Sequence, residues 1–319
     1  MRSAHSDSIR SGLGYAFATV FASLMGRIVV TRFFFDYPVV IIMMQTAFTL
    51  LAIEVLRVIG VLKLAPYTFE KGKHVVLPSL LYCIAQWITV ASFEGIGMPS
   101  LDSVKRFTPI FVMIAGELLR RNTQQVRVDP KKAMIVLALC VASSVAVNLE
   151  FSMDQYSFFY GLVACAFQAS AFILFEGLST NISAIELLYL HSFNSLVFFL
   201  LVDIVQDEIR DAFLYMITAA HPLFGVVFVA LLISGFLFQY SVFSCIESNG
   251  SLSLQLISNV RAAVEIIVSY YLSLYFFYDV SVGFMNWLGL FATIFAASHY
   301  RNLSRDGDSV IQGPWITKA

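Results

Sequence analysis

Four cationic side chains lie in apolar stretches of this sequence, and phosphate binding is the chemistry that they could perform. They are Arg27, Lys105, Arg106 and Arg261. A cation at bilayer depth costs about 2.5–3.5 kcal/mol on insertion scales, so such a residue usually serves a site or pairs with another charge. A guanidinium binds phosphate through two parallel hydrogen bonds, and a lysine supplies a point charge. The sequence therefore predicts an anion site, with Arg27 expected closer to a membrane interface than the other three.

Each of the other three cations also has a structural interpretation, and the sequence leaves both open. Glu265 follows Arg261 by one helical turn, so the two could form an ion pair. Asp102 could satisfy one member of the pair Lys105–Arg106, and these long side chains could also snorkel to the membrane surface.

Uncharged groups near these cations could orient the rest of a phosphorylated solute. The candidates for substrate binding are Gln86, Asn194, Ser195, Ser258 and Asn259. An aromatic side chain such as Tyr189 or Phe193 could stack on a base. His191 lies in the same apolar stretch, where a hydrogen-bonded structural role and a proton relay both stay open.

No reactive set of residues stands at a workable spacing in the sequence. A carboxylate pair, a Ser-His-Asp set and a His-Glu-x-x-His motif are all missing. The four cysteines, Cys83, Cys140, Cys165 and Cys245, lie in apolar stretches and fit neither a metal site nor a disulfide framework. We therefore expect no enzyme activity, no metal and no cofactor.

The composition is that of a membrane protein. Hydrophobic residues make up 59% of the 319 residues and charged residues only 13%, whereas soluble domains contain about 25% charged residues. The mean hydropathy is +0.79. The net charge of −1 argues against nucleic acid as a partner, since no cationic surplus is present to neutralise phosphates.

Ten segments approach the length of about 20 apolar residues that a bilayer requires of a helix. The sequence therefore predicts an all-α membrane protein, with nine or eleven spans as alternatives to ten. The predicted spans are 12–31, 37–57, 75–93, 101–119, 133–149, 157–178, 184–204, 222–243, 252–275 and 280–300.

The basic residues orient these spans. With a cytosolic N-terminus, fourteen of the 20 Lys and Arg residues fall on the cytosolic side, and only Arg32 and Arg210 fall on the opposite side. Lys and Arg accumulate in cytosolic loops because they resist translocation. The distribution supports an even number of spans with both termini in the cytosol.

The two halves of the chain share an order of features. Lys105 and Arg106 begin the fourth predicted helix, and Arg261 lies early in the ninth. Because five is odd, a second five-helix copy must run in the opposite direction through the membrane. The sequence thus predicts an inverted repeat, with copies at 1–152 and 153–319, the latter ending in a short cytosolic tail. Carriers of this kind bind substrate near the midplane, between the repeats.

Several segments together resemble one family of carriers. They include "FFFDYPVVIIMMQ" (33–45), "GMPSLDSVKRFTPIFVMIAGELL" (97–119), "LLYLHSFNSL" (187–196) and a long stretch that begins "SNVRAAVEIIVSYY" (258–300). In this order, over about residues 14–300, they resemble the nucleotide-sugar transporters of the drug/metabolite transporter superfamily, and more closely the branch of UDP-sugar and GDP-mannose transporters.

The resemblance implies a function and residue roles. Members of this family exchange cytosolic nucleotide sugar for luminal nucleoside monophosphate across Golgi or endoplasmic reticulum membranes by alternating access. Asn194 falls where a Tyr-Asn motif of the seventh helix contacts the nucleotide. Arg261 falls where a lysine of the ninth helix meets phosphate, and Lys105 and Arg106 match a basic position of the fourth helix.

The sequence also departs from the family pattern. Gly26-Arg27 stands in place of Asn-Lys, Phe193 in place of the motif tyrosine, and the Gly-Ala-Leu-Asn-Lys motif for GDP-mannose is absent. A UDP-sugar of the UDP-GlcNAc, UDP-GalNAc or UDP-glucuronate type is therefore favoured. A carrier of another phosphorylated metabolite and a non-transporting membrane adaptor stay open as alternatives, as does a homodimer rather than a monomer.

Overall fold

The structure, a computed structural model, describes residues 2–93, 98–120, 129–147, 155–218, 221–271 and 282–307. These residues form helices, with no strand among them. The helices are α1 (Arg2–Phe33), α2 (Pro38–Val58), α3 (Phe69–Phe93), α4 (Met98–Lys105), α5 (Thr108–Arg120), α6 (Pro130–Ala146), α7 (Gln155–Ser179), α8 (Ala184–Gln206), α9 (Glu208–Thr218), α10 (Pro222–Tyr271) and α11 (Phe284–Gly307).

The helices confirm the prediction of an all-helical membrane protein. Among the described residues, five helices, α1, α2, α7, α8 and α10, contain stretches long and apolar enough to cross a bilayer. The count of ten spans and the inverted repeat stay predictions. The ends of the predicted spans 133–149, 252–275 and 280–300 lie outside the described residues.

One predicted helix is interrupted, and one helix was not predicted. The predicted span 101–119 divides into α4 and α5, with a turn at Arg106 and Phe107. Helix α9 lies between the predicted spans 184–204 and 222–243. Its first two amides, those of Glu208 and Ile209, each donate to Asp203 Oδ1 at 3.1 Å.

Helix α10 is 50 residues long and is kinked at Gly250, where φ is 80° and ψ is 165°. A positive φ favours glycine because a Cβ would be strained there. The amide of Ser251 donates to Glu176 Oε2 at 3.0 Å, so that a carboxylate from α7 caps the segment that follows the kink. The predicted spans 222–243 and 252–275 fall on either side of Gly250.

The chain forms two compact units, each built from two segments. The first unit comprises Met1–Cys83 and Asn181–Ser248, and the second comprises Ile84–Thr180 and Asn249–Ala319. Each unit draws on both predicted repeats. The predicted boundary between residues 152 and 153 lies outside the described residues, so the repeat division stays a prediction.

In the first unit, α2 packs against α8 and α9. A carboxylate far away in the sequence caps the start of α2. The amides of Val39 and Val40 donate to Glu208 Oε2 at 3.0 and 3.4 Å. Helix α8 is capped in the same way, since the amide of Ala184 donates to Glu247 Oε2 at 3.2 Å. Helix ends without water need such internal acceptors.

Burial raises the pKa of Glu208, and the two hydrogen bonds from α2 oppose that rise without cancelling it. Glu208 opens α9 and lies outside the helices that are candidates for crossing the membrane. The carboxyl group that caps α2 is therefore held in a protein environment rather than in bulk water.

In the second unit, α6 packs against α11, and α7 packs against α4 and α5. The backbones of α6 and α11 approach closely at Gly289, where an added Cβ would lie 2.6 Å from the backbone nitrogen of Ala146. Asn286 reinforces this crossing, because its Nδ2 donates to the carbonyl of Ala146 at 2.8 Å. Small residues at helix crossings and interhelical hydrogen bonds are the usual means of association in lipid.

Candidate functional site

The second unit gathers five of the predicted site residues around the turn between α4 and α5. Arg106 lies in that turn with its side chain only 5% exposed. Its guanidinium donates to the carbonyl and carboxylate of Asp102 at 3.0 and 2.8 Å. It also donates to the carbonyl of Ser258 at 3.1 Å and to Asn259 Oδ1 at 3.5 Å. Arg106 therefore joins the turn to α10.

Pro109 explains why the chain turns here. A proline has no amide hydrogen, so the helical bond from residue 109 to the carbonyl of Lys105 cannot form. The hydroxyl of Thr108 donates to that carbonyl instead, at 2.7 Å. The carbonyl of Arg106 accepts from Asn259 Nδ2 at 2.8 Å. The break thus leaves the carbonyl groups of Lys105 and Arg106 without helical donors, and side chains donate to them instead.

Arg261 forms an ion pair with Glu265 one turn later on α10, and the two side chains are 12% and 11% exposed. The ion pairs of Arg261 with Glu265 and of Arg106 with Asp102, which the sequence left open as structural interpretations, both form. Asp102 also interacts electrostatically with Lys105 and Arg261.

The first unit holds the other group of predicted residues, on α8. The hydroxyl of Tyr189 is hydrogen-bonded to Glu54, and Arg57 donates to the same carboxylate at 2.7 Å. Glu54 and Arg57 were not predicted as site residues. Glu54 could have been identified, because a carboxylate within an apolar span is a functional candidate by default.

Tyr67 covers the predicted nucleotide-binding residues of α8. Its ring stacks on Phe193 with centroids 4.2 Å apart, and its hydroxyl donates to Asn194 Oδ1 at 3.4 Å. Its backbone amide donates to the hydroxyl oxygen of Tyr189 at 3.3 Å. Asn194 Nδ2 donates to the carbonyl of Gly72 at 3.3 Å. No pattern in the sequence pointed to Tyr67, which lies in the connection between α2 and α3.

Ser195 lies deeper, in a buried polar group that joins α3 to α8. Its hydroxyl lies 3.1 Å from His191 Nε2 and accepts from the thiol of Cys83 at 3.1 Å. His191 Nδ1 lies 3.0 Å from the hydroxyl of Ser79. These contacts favour the structural interpretation of His191. Gln86 is half-buried on α3, in the second unit.

Two proteins named as transporters are similar in sequence to this chain. UDP-galactose/UDP-glucose transporter 7 of Arabidopsis thaliana is 23% identical over 264 residues, which cover 82% of this chain and 80% of that protein. A Dictyostelium discoideum protein provisionally named a UDP-sugar transporter is 24% identical over 274 residues, or 85% of this chain and 69% of that protein. No protein-family model matches the chain.

These relatives confirm the resemblance to the nucleotide-sugar transporter family. The chain is thus similar to proteins named as transporters rather than to enzymes, and its apolar helices are those of a multi-pass membrane protein. A solved crystal structure, described only as that of a protein, shares the fold. Its TM-score is 0.64 at 10% identity, over 95% of this chain and 99% of the other.

Within the nucleotide-sugar transporter resemblance, two departures now have structural consequences. Phe193, which replaces the motif tyrosine, has no hydroxyl and presents its ring to Tyr67. Arg261, which replaces a lysine, forms its ion pair within α10. The phosphate-binding and nucleotide-binding roles of these residues stay predictions.

Proposed function

We propose that this protein carries UDP-sugars across a Golgi or endoplasmic reticulum membrane in exchange for UMP, by alternating access. The observation that carries the proposal is the pair of relatives named for UDP-sugar transport, which align with 82% and 85% of the chain. The relatives' names add UDP-galactose and UDP-glucose to the UDP-GlcNAc, UDP-GalNAc and UDP-glucuronate favoured by the sequence.

In this proposal ten spans form two inverted five-helix repeats with both termini in the cytosol. Helix α10 supplies two of the spans, because the 28 residues before Gly250 and the 21 residues after it extend roughly 42 and 32 Å at 1.5 Å each, and each length is sufficient for a bilayer core of about 30 Å. The kink at Gly250 then separates the two crossings. We propose no obligatory cofactor or metal, and a homodimer stays open beside a monomer.

The phosphate groups bind, in this proposal, at Arg261 and Lys105, with Arg106 positioning the turn and α10. The gathering of three cations around one carboxylate, that of Asp102, supports the assignment, because clustered cationic side chains bind phosphate through charge-assisted hydrogen bonds. Ser258 and Asn259 lie against the same turn and would orient the phosphate ligands. Asn194 and Tyr189 bind the base, with Ser195 and Gln86 as supporting polar groups.

The phosphate assignment is tested with variants of the Arg261–Glu265 pair. The double variant Arg261→Gln, Glu265→Gln removes both charges and avoids leaving an unpaired buried carboxylate. We expect it to weaken UMP binding at least about tenfold, since a charge-assisted bidentate contact is lost, and to leave uridine binding unchanged. The single variant Glu265→Gln, which keeps Arg261, is the matched control.

The exchange claim is tested in liposomes containing the purified protein. Vesicles loaded with UMP should take up labelled UDP-sugar faster than empty vesicles, because an exchanger reorients faster with a nucleotide bound than when it is empty. Equal uptake by loaded and empty vesicles would contradict exchange. If sugar phosphates that lack a nucleotide inhibited this uptake as strongly as unlabelled UDP-sugars do, the proposal that the substrates are UDP-sugars would be contradicted.

A further inference from the structure

The residues proposed to bind the base are already in contact with a ring of the chain itself. Tyr67 stacks on Phe193 with centroids 4.2 Å apart and an interplanar angle of 29°. Offset stacking at this distance is the arrangement in which a base lies on an aromatic side chain. Phe193 also meets Tyr189 edge to face, at 5.2 Å, so its orientation is fixed from a second direction.

Tyr67 and Gly72 also occupy the hydrogen-bonding groups of Asn194. The amide oxygen accepts from the hydroxyl of Tyr67 at 3.4 Å, and the amide nitrogen donates to the carbonyl of Gly72 at 3.3 Å. An amide offers an acceptor and a donor side by side, which matches the adjacent N–H and C=O groups of a uracil edge. Each of these groups can form one further hydrogen bond, so it is the ring of Tyr67 on Phe193 that a base would have to displace to stack beside them.

We propose that Tyr67 competes with the nucleotide base for the face of Phe193 beside the amide of Asn194, so that substrate binding displaces Tyr67. The inference rests on the proposed function and names the group that regulates access to its base site. Tyr67 thereby sets the affinity for every nucleotide that the carrier takes, independently of the sugar.

Tyr67 is held in a way that allows it to leave. It is half-buried in the connection 59–68 between α2 and α3. Its hydrogen bonds to Tyr189 and Asn194, at 3.3 and 3.4 Å, lie at the long end of the hydrogen-bond range and are correspondingly weak. The apparent affinity for the base falls in proportion to the fraction of carriers in which Tyr67 lies on Phe193, because only the remaining fraction can bind.

Gly72 permits the closed arrangement. A Cβ added at this position would lie 2.1 Å from the hydroxyl oxygen of Tyr67 and 2.8 Å from its Cε2 atom. The clash falls on the far end of a side chain, so the tyrosine must move while α3 keeps its path. Alanine also favours a helix over glycine, which makes Gly72→Ala a variant that expels Tyr67 without weakening α3.

The test measures UMP affinity by calorimetry on the purified full-length protein. We expect Tyr67→Ala and Gly72→Ala each to bind UMP about three- to tenfold more tightly than wild type, as the loss of one competing aromatic contact predicts. Gly177→Ala is the matched control, because no atom lies within 4 Å of its added Cβ and it is in the other unit. Unchanged or weaker binding in both variants would overturn the inference.

A second measurement needs no variant. Hydrogen exchange of the wild-type amides in residues 59–68 should accelerate on saturation with UMP, because the connection is released from α8. Slower exchange there would mean that Tyr67 closes over the base, and it would overturn the competition.

The two proposals fail in distinguishable ways. If UMP binds neither wild type nor Tyr67→Ala nor Gly72→Ala, the proposed function fails and the competition fails with it. If UMP binds wild type through Arg261 but the Tyr67 variants match it, only the competition is wrong. Binding by the two variants alone would support both proposals.

Discussion

Replacing Arg106 with alanine should destabilise the protein more than any loss of a surface charge. The substitution removes four hydrogen bonds at once, and with them the ion pair that Arg106 forms with Asp102. Removing one partner of a buried ion pair costs about 3–5 kcal/mol. Because the side chain of Asp102 is 27% exposed, water compensates in part, and we expect a loss of about 3 kcal/mol.

The four buried cysteines provide the assay. A thiol-reactive fluorophore reports unfolding because these thiols react only once they are exposed. In a variant that retains only Cys140 and Cys165, the signal comes from the unit that contains Arg106. A loss of about 3 kcal/mol corresponds to a fall of roughly 4–5 °C in the unfolding midpoint of a chain of this length.

Two further variants make this prediction refutable. Arg210→Ala breaks an ion pair whose side chains are 72% and 53% exposed, and it should leave the midpoint near that of wild type. Arg106→Lys keeps a charge beside Asp102 but lacks the planar fork, so it should fall between alanine and wild type. If Arg106→Ala unfolds at the same temperature as Arg210→Ala, the turn does not depend on this guanidinium.

The remaining predictions concern two other features of the fold. Gly289→Ala should lower the free energy of unfolding by about 1–3 kcal/mol, because its Cβ would lie 2.6 Å from the backbone of Ala146. Gly177→Ala, whose Cβ meets no atom within 4 Å, should not destabilise the protein. Equal unfolding midpoints for the two variants would contradict the close approach of α6 and α11. Because burial raises the pKa of Glu208, the folded protein holds that proton to higher pH than the unfolded chain does. Stability relative to Glu208→Gln should therefore fall as pH rises from about 4.3 through the raised pKa, and a constant difference in unfolding midpoint from pH 4 to 7 would contradict this.

Local sequence spacing anticipated the pairing of charges on single helices. Glu265 stands four residues after Arg261, and Asp102 stands four residues before Arg106, and both ion pairs form. An (i, i+4) relation brings two side chains onto one face of a helix wherever that helix lies. Such contacts are therefore readable from the sequence before the fold is known.

Other contacts of the candidate site join residues that are far apart in the chain. Arg106 reaches Ser258, and Tyr67 reaches Asn194, across separations of 152 and 127 residues. The prediction of an uninterrupted helix over 101–119 was wrong for a related reason. Pro109 indicates from the sequence where the helix can break. Whether the carbonyls that it leaves without a helical donor find other partners depends on the side chains that pack beside them.

The sequence by itself determined that this is a helical membrane protein with relatives named as transporters. Hydrophobic content can be counted from the composition, and charge pairs on one helix follow from the 3.6-residue helical period, so neither depends on how the helices pack. Only the tertiary structure decided that Arg106 joins the α4–α5 turn to α10, and that Tyr67 covers Phe193 and Asn194. These contacts depend on the packing of helices from distant parts of the chain, where a buried donor must find whichever acceptor the neighbouring helix presents.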